Sequence, residues 1–452
     1  MRQESPSLRF ECEFEDEPAG IDELERRTWA ALRVTVEGRC VTEFWDRRRN
    51  TEADTIYVPT FPLAKWIVIN WWALFYEPCR TDKPLEESDR WSNEERSWIQ
   101  RHCFGSAESG LFLPYLHFYS NGRETSIAWY GDDTDAFRSM PGYYLNSGFA
   151  TIRTIDGMSG MSEFVNRVLK RCETLQDTRV DGLRSAWSAI TNADKDEQDF
   201  CRAAGRMGLD PYATDEWEEG LVDLIESGFG SRFEDEIVSD LLESTTPSSA
   251  IRIWQWVSEA EHSLGLKAGA YDQLDTGMEC RRAKDLGYAV ARSFRELAGI
   301  NTEMPIANLE AAARNIQGFS FSFETRNHLP GNAILATVGW GSDNTAIVAG
   351  PDPGSSTTTR FRSSRGLYLA LLGCRRGPRL LTSAYTWDQQ ASRAFAAEFL
   401  APQAALREFA LQDMTIDERR TSQQKLATHF GVSPIVIEKQ WRNAGVWREL
   451  EE

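Results

Sequence analysis

With 452 residues, 41% of them hydrophobic and 11% aromatic, the chain is long enough for about three domains and too apolar to be disordered. Its formal net charge of -19 lies in one part of the sequence: residues 1–250 carry 47 acidic and 27 basic side chains, residues 251–452 carry 22 and 23. So acidic an N-terminal half repels a phosphate backbone, which argues against nucleic acid as its partner and leaves a solvated surface, a docking face for a basic protein partner, or mimicry of nucleic acid.

The N-terminus, Met1-Arg2-Gln3-Glu4-Ser5, leads into acidic residues without the apolar core of a signal peptide. Residues 1–150 read as an aromatic-rich, mixed α/β domain. Ala30 to Val36 and Cys40 to Trp45 predict two short strands around the turn at Gly38. Pro62, placed for a first helical turn, opens a buried helix expected to run to about Tyr76. Its apolar patch, Trp66 to Phe75, is too short to cross a membrane, and no run of 18 apolar residues exists, so no membrane association is expected. Leu111 to Phe118 and Ser126 to Tyr130 predict further strands, with Pro114 marking the first as an edge. Eight of the 16 tryptophans fall in this domain, where core packing is their expected use.

Residues 151–267 read as an acidic helical domain. Phe164, Val165, Val168 and Leu169, then Leu221, Leu224 and Ile225, then Ile237, Val238, Leu241 and Leu242 recur at helical spacing. Acidic residues such as Glu218, Glu219, Glu234 and Asp235 stand between these groups, and Ser244 to Ser249 reads as a linker or helix entry. From about residue 268 the pattern changes again. Leu286 to Leu297 predicts an amphipathic helix stopped at Gly299, and Pro305 starts another. Ala333 to Val338 and Thr345 to Ala349 predict strands joined by a turn-rich connection, and Leu367 to Leu372 a helix after the loop Pro353-Gly354-Ser355-Ser356.

Standard catalytic patterns are absent. The eight cysteines are at least 24 residues apart, so no CxxC exists, and with no leader evident a reducing, cytoplasmic location is expected. The five histidines, His102, His117, His262, His328 and His429, include no pair at helical metal-ligand spacing. Gly157-Met158-Ser159-Gly160 misses the nucleophile elbow, because Met161 stands where its second glycine belongs. Cys103 beside His102 is a weak nucleophile pair, since chain neighbours usually point apart.

Two strings carry a resemblance. Ala391-Ser392-Arg393-Ala394-Phe395-Ala396-Ala397-Glu398-Phe399-Leu400-Ala401-Pro402 resembles the A-N-x-F-A-A-E-L-L-M-P signature of the ImmA/IrrE family of zinc metallopeptidases, which regulate genes by cleaving repressors. Leu426 to Ser433 is similar to that family's L-A-x-x-F-x-V-S segment, and Trp441 with Asn443-Ala444-Gly445 follows where its closing helix ends in N-x-G. The resemblance implies a zincin-like domain over residues 268–452. It also implies that Arg360-Phe361 and Leu371-Leu372 frame the place of the family's H-E-x-x-H. In that frame Arg365 and Leu369 occupy the histidine positions and Gly366 that of the general base. Two histidines at i and i+4 supply zinc ligands, and the glutamate takes a proton from the metal-bound water; arginine and leucine can do neither. A third ligand is expected near Asp388, with Asp388 alone able to serve.

What remains at that place is basic: Arg360, Arg362, Arg365, Arg375, Arg376 and Arg379. Their guanidiniums suit an acidic peptide or phosphate, or pair with the acidic half of the chain. The sequence thus predicts an α+β protein whose C-terminal domain is a degenerate, zincin-like ImmA/IrrE domain with no catalytic residue, metal or cofactor. Its expected work is to bind a protein partner as a regulatory or sensing subunit, in a phage-defence or toxin–antitoxin setting by resemblance. Arg360, Arg362, Arg365, Arg375 and Arg376 are its candidate partner-binding residues. An active metallopeptidase with non-standard ligands is the competing reading. A nucleic-acid-associated regulator is the third, since Gly431 to Pro434 looks like the turn of a helix-turn-helix.

Overall fold

The computed structural model of the chain describes residues 7–15, 22–79, 93–120, 124–131, 141–233, 235–271, 274, 280, 282–301, 304–326, 333–407 and 416–444. Glu234, His328 and Gly445, named above, lie outside the described residues, as does Trp91. The chain forms two compact units, Met1–Trp217 and Glu218–Glu452. Helices and strands are mixed in both.

In the first unit, β1 (Leu8–Phe14), β2 (Trp29–Val36), β3 (Arg39–Cys40) and β6 (Ile56–Pro59) form one sheet, with β2 paired to all three others. Alternation along β2 buries Ala30, Leu32, Val34 and Val36. The turn into β3 needs left-handed backbone at both Glu37 (φ 47) and Gly38 (φ 75), the geometry that matches strand twist in a two-residue hairpin. The expected second strand is divided: β3 stays on this sheet, and β4 (Phe44–Asp46) joins another between β5 (Thr51–Ala53) and β9 (Gly142–Tyr144). A third sheet has β8 (Glu124–Tyr130) between β7 (Tyr115–Ser120) and β10 (Gly148–Arg153). β7 begins after Pro114 because proline cannot donate to a ladder.

The α-helices among the described residues of this unit are α1 (Glu23–Thr28), α2 (Phe61–Ile69), α3 (Trp71–Tyr76), α4 (Asn93–His102), α5 (Thr154–Arg171), α6 (Thr178–Asn192) and α7 (Lys195–Arg206). The single helix expected over 62–76 is broken at Asn70, whose Nδ2 donates to the Trp66 carbonyl, in competition with the helical backbone. Trp66, Trp71, Trp72, Trp98 and Trp129 are buried. The 157–160 tetrapeptide lies inside α5, so no sharp nucleophile turn exists there.

The second unit begins with α8 (Leu221–Asp223), α9 (Glu236–Ser244) and α10 (Pro247–Leu264). The Ser244–Ser249 stretch is a helix entry, where Thr246 and Ser249 form a capping box with Pro247 in the first turn. Next come α11 (Ala283–Leu297) and α12 (Leu309–Arg314), which starts four residues past Pro305 because Asn308 Oδ1 caps the Ala311 amide. The sheet runs β11 (Ser320–Thr325), β13 (Thr345–Gly350), β12 (Ile334–Trp340), β14 (Arg379–Thr382), with β11 parallel to β13 and the other pairs antiparallel. Between β13 and β14 stands α13 (Ser356–Tyr368), which ends in a π-helical turn over Leu369–Gly373. α14 (Trp387–Leu400), α15 (Gln403–Arg407), α16 (Ile416–Phe430) and α17 (Pro434–Asn443) follow. One continuous core includes Phe294, Val338, Val348, Leu367, Phe395, Phe399, Ile437 and Trp441. Among the described residues no helix is long and apolar enough to cross a membrane.

Candidate functional site

The basic stretch at 360–379 is threaded through the interior of the second unit. Residues Ser363 to Leu371 are all buried, so the C-terminal half of α13 is a central helix pressed between the sheet and α14. Gly366 makes that contact possible. A Cβ there would fall 2.5 Å from Val348 Cγ2 and 2.7 Å from its Cγ1 on β13, too close for any side chain without moving a core strand. Close packing of this helix on the sheet thus depends on a residue without a side chain at position 366.

Arg365, 4% exposed, points inward. Its Nε donates to Ser392 Oγ (3.1 Å) and its Nη2 to the Thr382 carbonyl and Gln389 Oε1 (both 2.8 Å). All three acceptors are neutral. Burial, with Arg393 and Arg362 adding like charge, pulls the guanidinium well below its usual range. The Ser392 hydroxyl is oriented by donating to the Gln389 carbonyl (2.8 Å), which leaves a lone pair for Arg365.

Arg379 is equally buried but is met by acids. Asp240 of α9 takes two parallel bonds, from Nε (2.7 Å) and Nη2 (2.9 Å), and also caps the Leu380 amide (2.9 Å). Asp388 accepts from Nη1 (2.9 Å). Burial would lower this guanidinium, yet the two carboxylates lift it well above its usual range. Gln389, fully buried, joins the two arginine sites: Oε1 accepts from Arg365 and from the Thr382 amide, while Nε2 donates to the Leu380 carbonyl (2.8 Å) and reaches Asp240 Oδ1 at 3.5 Å.

The remaining candidates are dispersed. Arg360 donates to the carbonyls of Ile306, Ala307, Phe430 and Gly431, tying the end of α16 to the loop before α12. Arg362 is half-buried, with no hydrogen bond or ion pair to any described residue. Arg375 and Arg376 are exposed, and Arg376 makes only a long 4.0 Å ion pair with Glu236. Asp388, the acid expected as a third ligand, is engaged by Arg379, and Leu369 is fully buried among apolar side chains. Among the described residues no group of three or more His, Cys, Asp or Glu side chains converges to hold a metal.

In the first unit His102 does not face Cys103. Its Nδ1 meets the Phe118 carbonyl and its Nε2 the Glu77 carboxylate, both at 3.1 Å. Cys103 Sγ lies 3.6 Å from His117 Nε2 instead. Burial pushes the thiol up to about 11 and His117 down to about 4, the latter helped by His102, so both are neutral at pH 7 and unreactive. Sequence reasoning missed Asp240, Gln389 and Ser392 as members of the buried network. Asp240 lies 139 residues from Arg379, beyond any local pattern.

Residues 368–442 match the IrrE N-terminal-like domain of peptidase family M78, so the second unit carries an ImmA/IrrE-like domain. No curated protein matches the chain.

Proposed function

We propose that this ImmA/IrrE-like domain works as a binding module, a regulatory or sensing subunit that holds a protein partner, and that it does not hydrolyse peptides. The observation that carries the reading is Arg365. At the first histidine position of the family frame stands a buried cation, bonded to three neutral groups, beside a glycine whose missing side chain is filled by Val348. A divalent ion would be repelled there, and among the described residues no carboxylate bonds to Arg365. Exposed Arg375 and Arg376, with half-buried Arg362, are the arginines of this stretch that would meet an acidic partner segment, in the phage-defence or toxin–antitoxin setting that the resemblance suggests. Domain limits of 268–452 for this module belong to the same proposal.

Ligand linkage tests it. A protein that binds zinc only in its folded state gains stability with zinc and loses it to a chelator. The melting temperature is expected to be unchanged by EDTA and by micromolar zinc. A drop with EDTA that zinc reverses would support the peptidase reading instead.

A further inference from the structure

A cavity of about 390 Å³ opens in the second unit between α11, α13, α14 and α17, within the size range of small-molecule sites. Three cations line it, Lys284, Arg393 and Lys439, and no carboxylate does. Residues 251–452 as a whole carry 22 acidic and 23 basic side chains, so this is a local excess of positive charge, and the neighbouring acids explain how it persists. On the same helices Asp285 is held by Arg282 (3.0 Å), Glu398 by Arg292 (2.8 Å) and Glu438 by Arg442 (3.0 Å). Lys284 and Lys439 are left with no hydrogen bond or ion pair to any described residue. Arg393 is met only by the Ser383 and Ala384 carbonyls and by the Tyr385 ring, 4.9 Å from its guanidinium carbon.

Hydroxyls and backbone add to this. Thr357 and Thr358, in the first turn of α13, and Ser433, at the start of α17, line the cavity, and neither helix has a side-chain cap on its first amides. Two helix N-termini therefore supply partial positive charge beside the three full charges. The lining also includes the apolar side chains of Phe361, Ile435 and Val436, and Ile435 is 61% exposed. At the cavity's lining Gln440 is fully buried, and its Oε1 takes no hydrogen bond from any described residue, although its Nε2 donates to Glu398 and to the Ala401 carbonyl.

We infer that this cavity binds a small phosphate monoester with a ring-bearing body: the phosphate at Lys284, Lys439 and Arg393, the ring against Phe361 and Ile435, and a hydroxyl or amine of the body toward Gln440. A phosphate suits the cations and hydroxyls better than a carboxylate, because it brings nearly two charges and three strong acceptors to a cavity lined by cations from three helices. The inference does not rest on the loss of hydrolysis; zinc bound elsewhere in the domain would leave it standing.

Thermal shift and calorimetry on the full chain test it, with AMP, adenosine, inorganic phosphate and succinate as probes. AMP is expected to raise the melting temperature and bind saturably, inorganic phosphate to bind more weakly, and adenosine and succinate to do neither. Lys284→Ala and Lys439→Ala each remove an exposed side chain without a partner, so the free variants should melt as the parent does and bind AMP about tenfold more weakly apiece. Should either variant fold poorly, a fall in AMP affinity with rising salt on the parent protein is the substitute readout. No saturable AMP binding, AMP binding untouched by the substitutions or by salt, or phosphate or adenosine binding as tightly as AMP would each overturn the inference.

Discussion

Arg365 and Arg379 are both removed from water in one unit, joined through one glutamine, and solvated in opposite ways. Arg379 is neutralised by Asp240 and Asp388, whereas Arg365 is held only by a hydroxyl, a carbonyl and an amide oxygen. The difference separates a compensated ion pair from a buried cation held by neutral groups alone. Asp240 arrives from α9 and fixes that helix to β14, a task any buried bidentate pair can perform. At Arg365 the surrounding groups supply hydrogen bonds but no countercharge, and that is why the position is hostile to a metal cation.

The contrast makes graded predictions. Asp240→Asn should be the most damaging, because it strands Arg379 and removes a bidentate pair: about 3–5 kcal/mol, read as a large fall in the denaturation midpoint. A cost under about 1 kcal/mol would show that Asp388 alone suffices. Gly366→Ala comes next. Its Cβ must displace Val348, so it should cost about 1–3 kcal/mol, whereas the same change at exposed Gly182, where nothing lies within 4 Å, should be neutral or mildly stabilising in its helix. Arg365→Met should cost about 1–3 kcal/mol, mainly from acceptors left without donors, less than Asp240→Asn, since no carboxylate is stranded. Equal losses for the two would erase the contrast.

Acid sharpens it from the other unit. Glu77 is 1% exposed; burial would raise its carboxyl, but hydrogen bonds from His102 and Arg101 overcome this and hold it at about 2. A carboxyl depressed on folding contributes stability that is complete above about pH 4.5 and drains away as pH falls toward 2. Glu77→Gln should flatten the stability curve of the first unit over that window, while the cost of Arg365→Met, with no carboxylate partner, should stay constant across it. Smallest of all, Arg375→Glu and Arg376→Glu lie on exposed positions and should shift stability by no more than about 0.5 kcal/mol.

Much of this was legible before the structure, for reasons that can be located. The signature strings at 391–402 and 426–433, which lie within the matched 368–442, are local sequence, and so are the amphipathic helix at 283–297, the strands at 334–340 and 345–350, and the capping signal at Thr246. Local cues also existed where the reading went astray: Asn70, which interrupts the helix at 61–76, and Asn308, which caps α12 downstream of Pro305, are both residues that hydrogen-bond nearby backbone. Other features had no local cue. Asp240 is 139 residues from Arg379, and the reason for Gly366 is a valine on another strand. The five arginines read as one group, for an acidic ligand or for the chain's own acids, because sequence distance is short; helical geometry sends Arg365 inward and Arg360 into a staple of carbonyls, and the turn after the helix leaves Arg375 and Arg376 to solvent.

The central claim is that the place of the family's metal is occupied by protein. Elemental analysis of the full chain, purified without chelator from cells grown with zinc, tests it most directly. The account predicts no stoichiometric zinc, in the parent and in Arg365→Met alike; one zinc per chain, lost on substitution of Asp388, would contradict it.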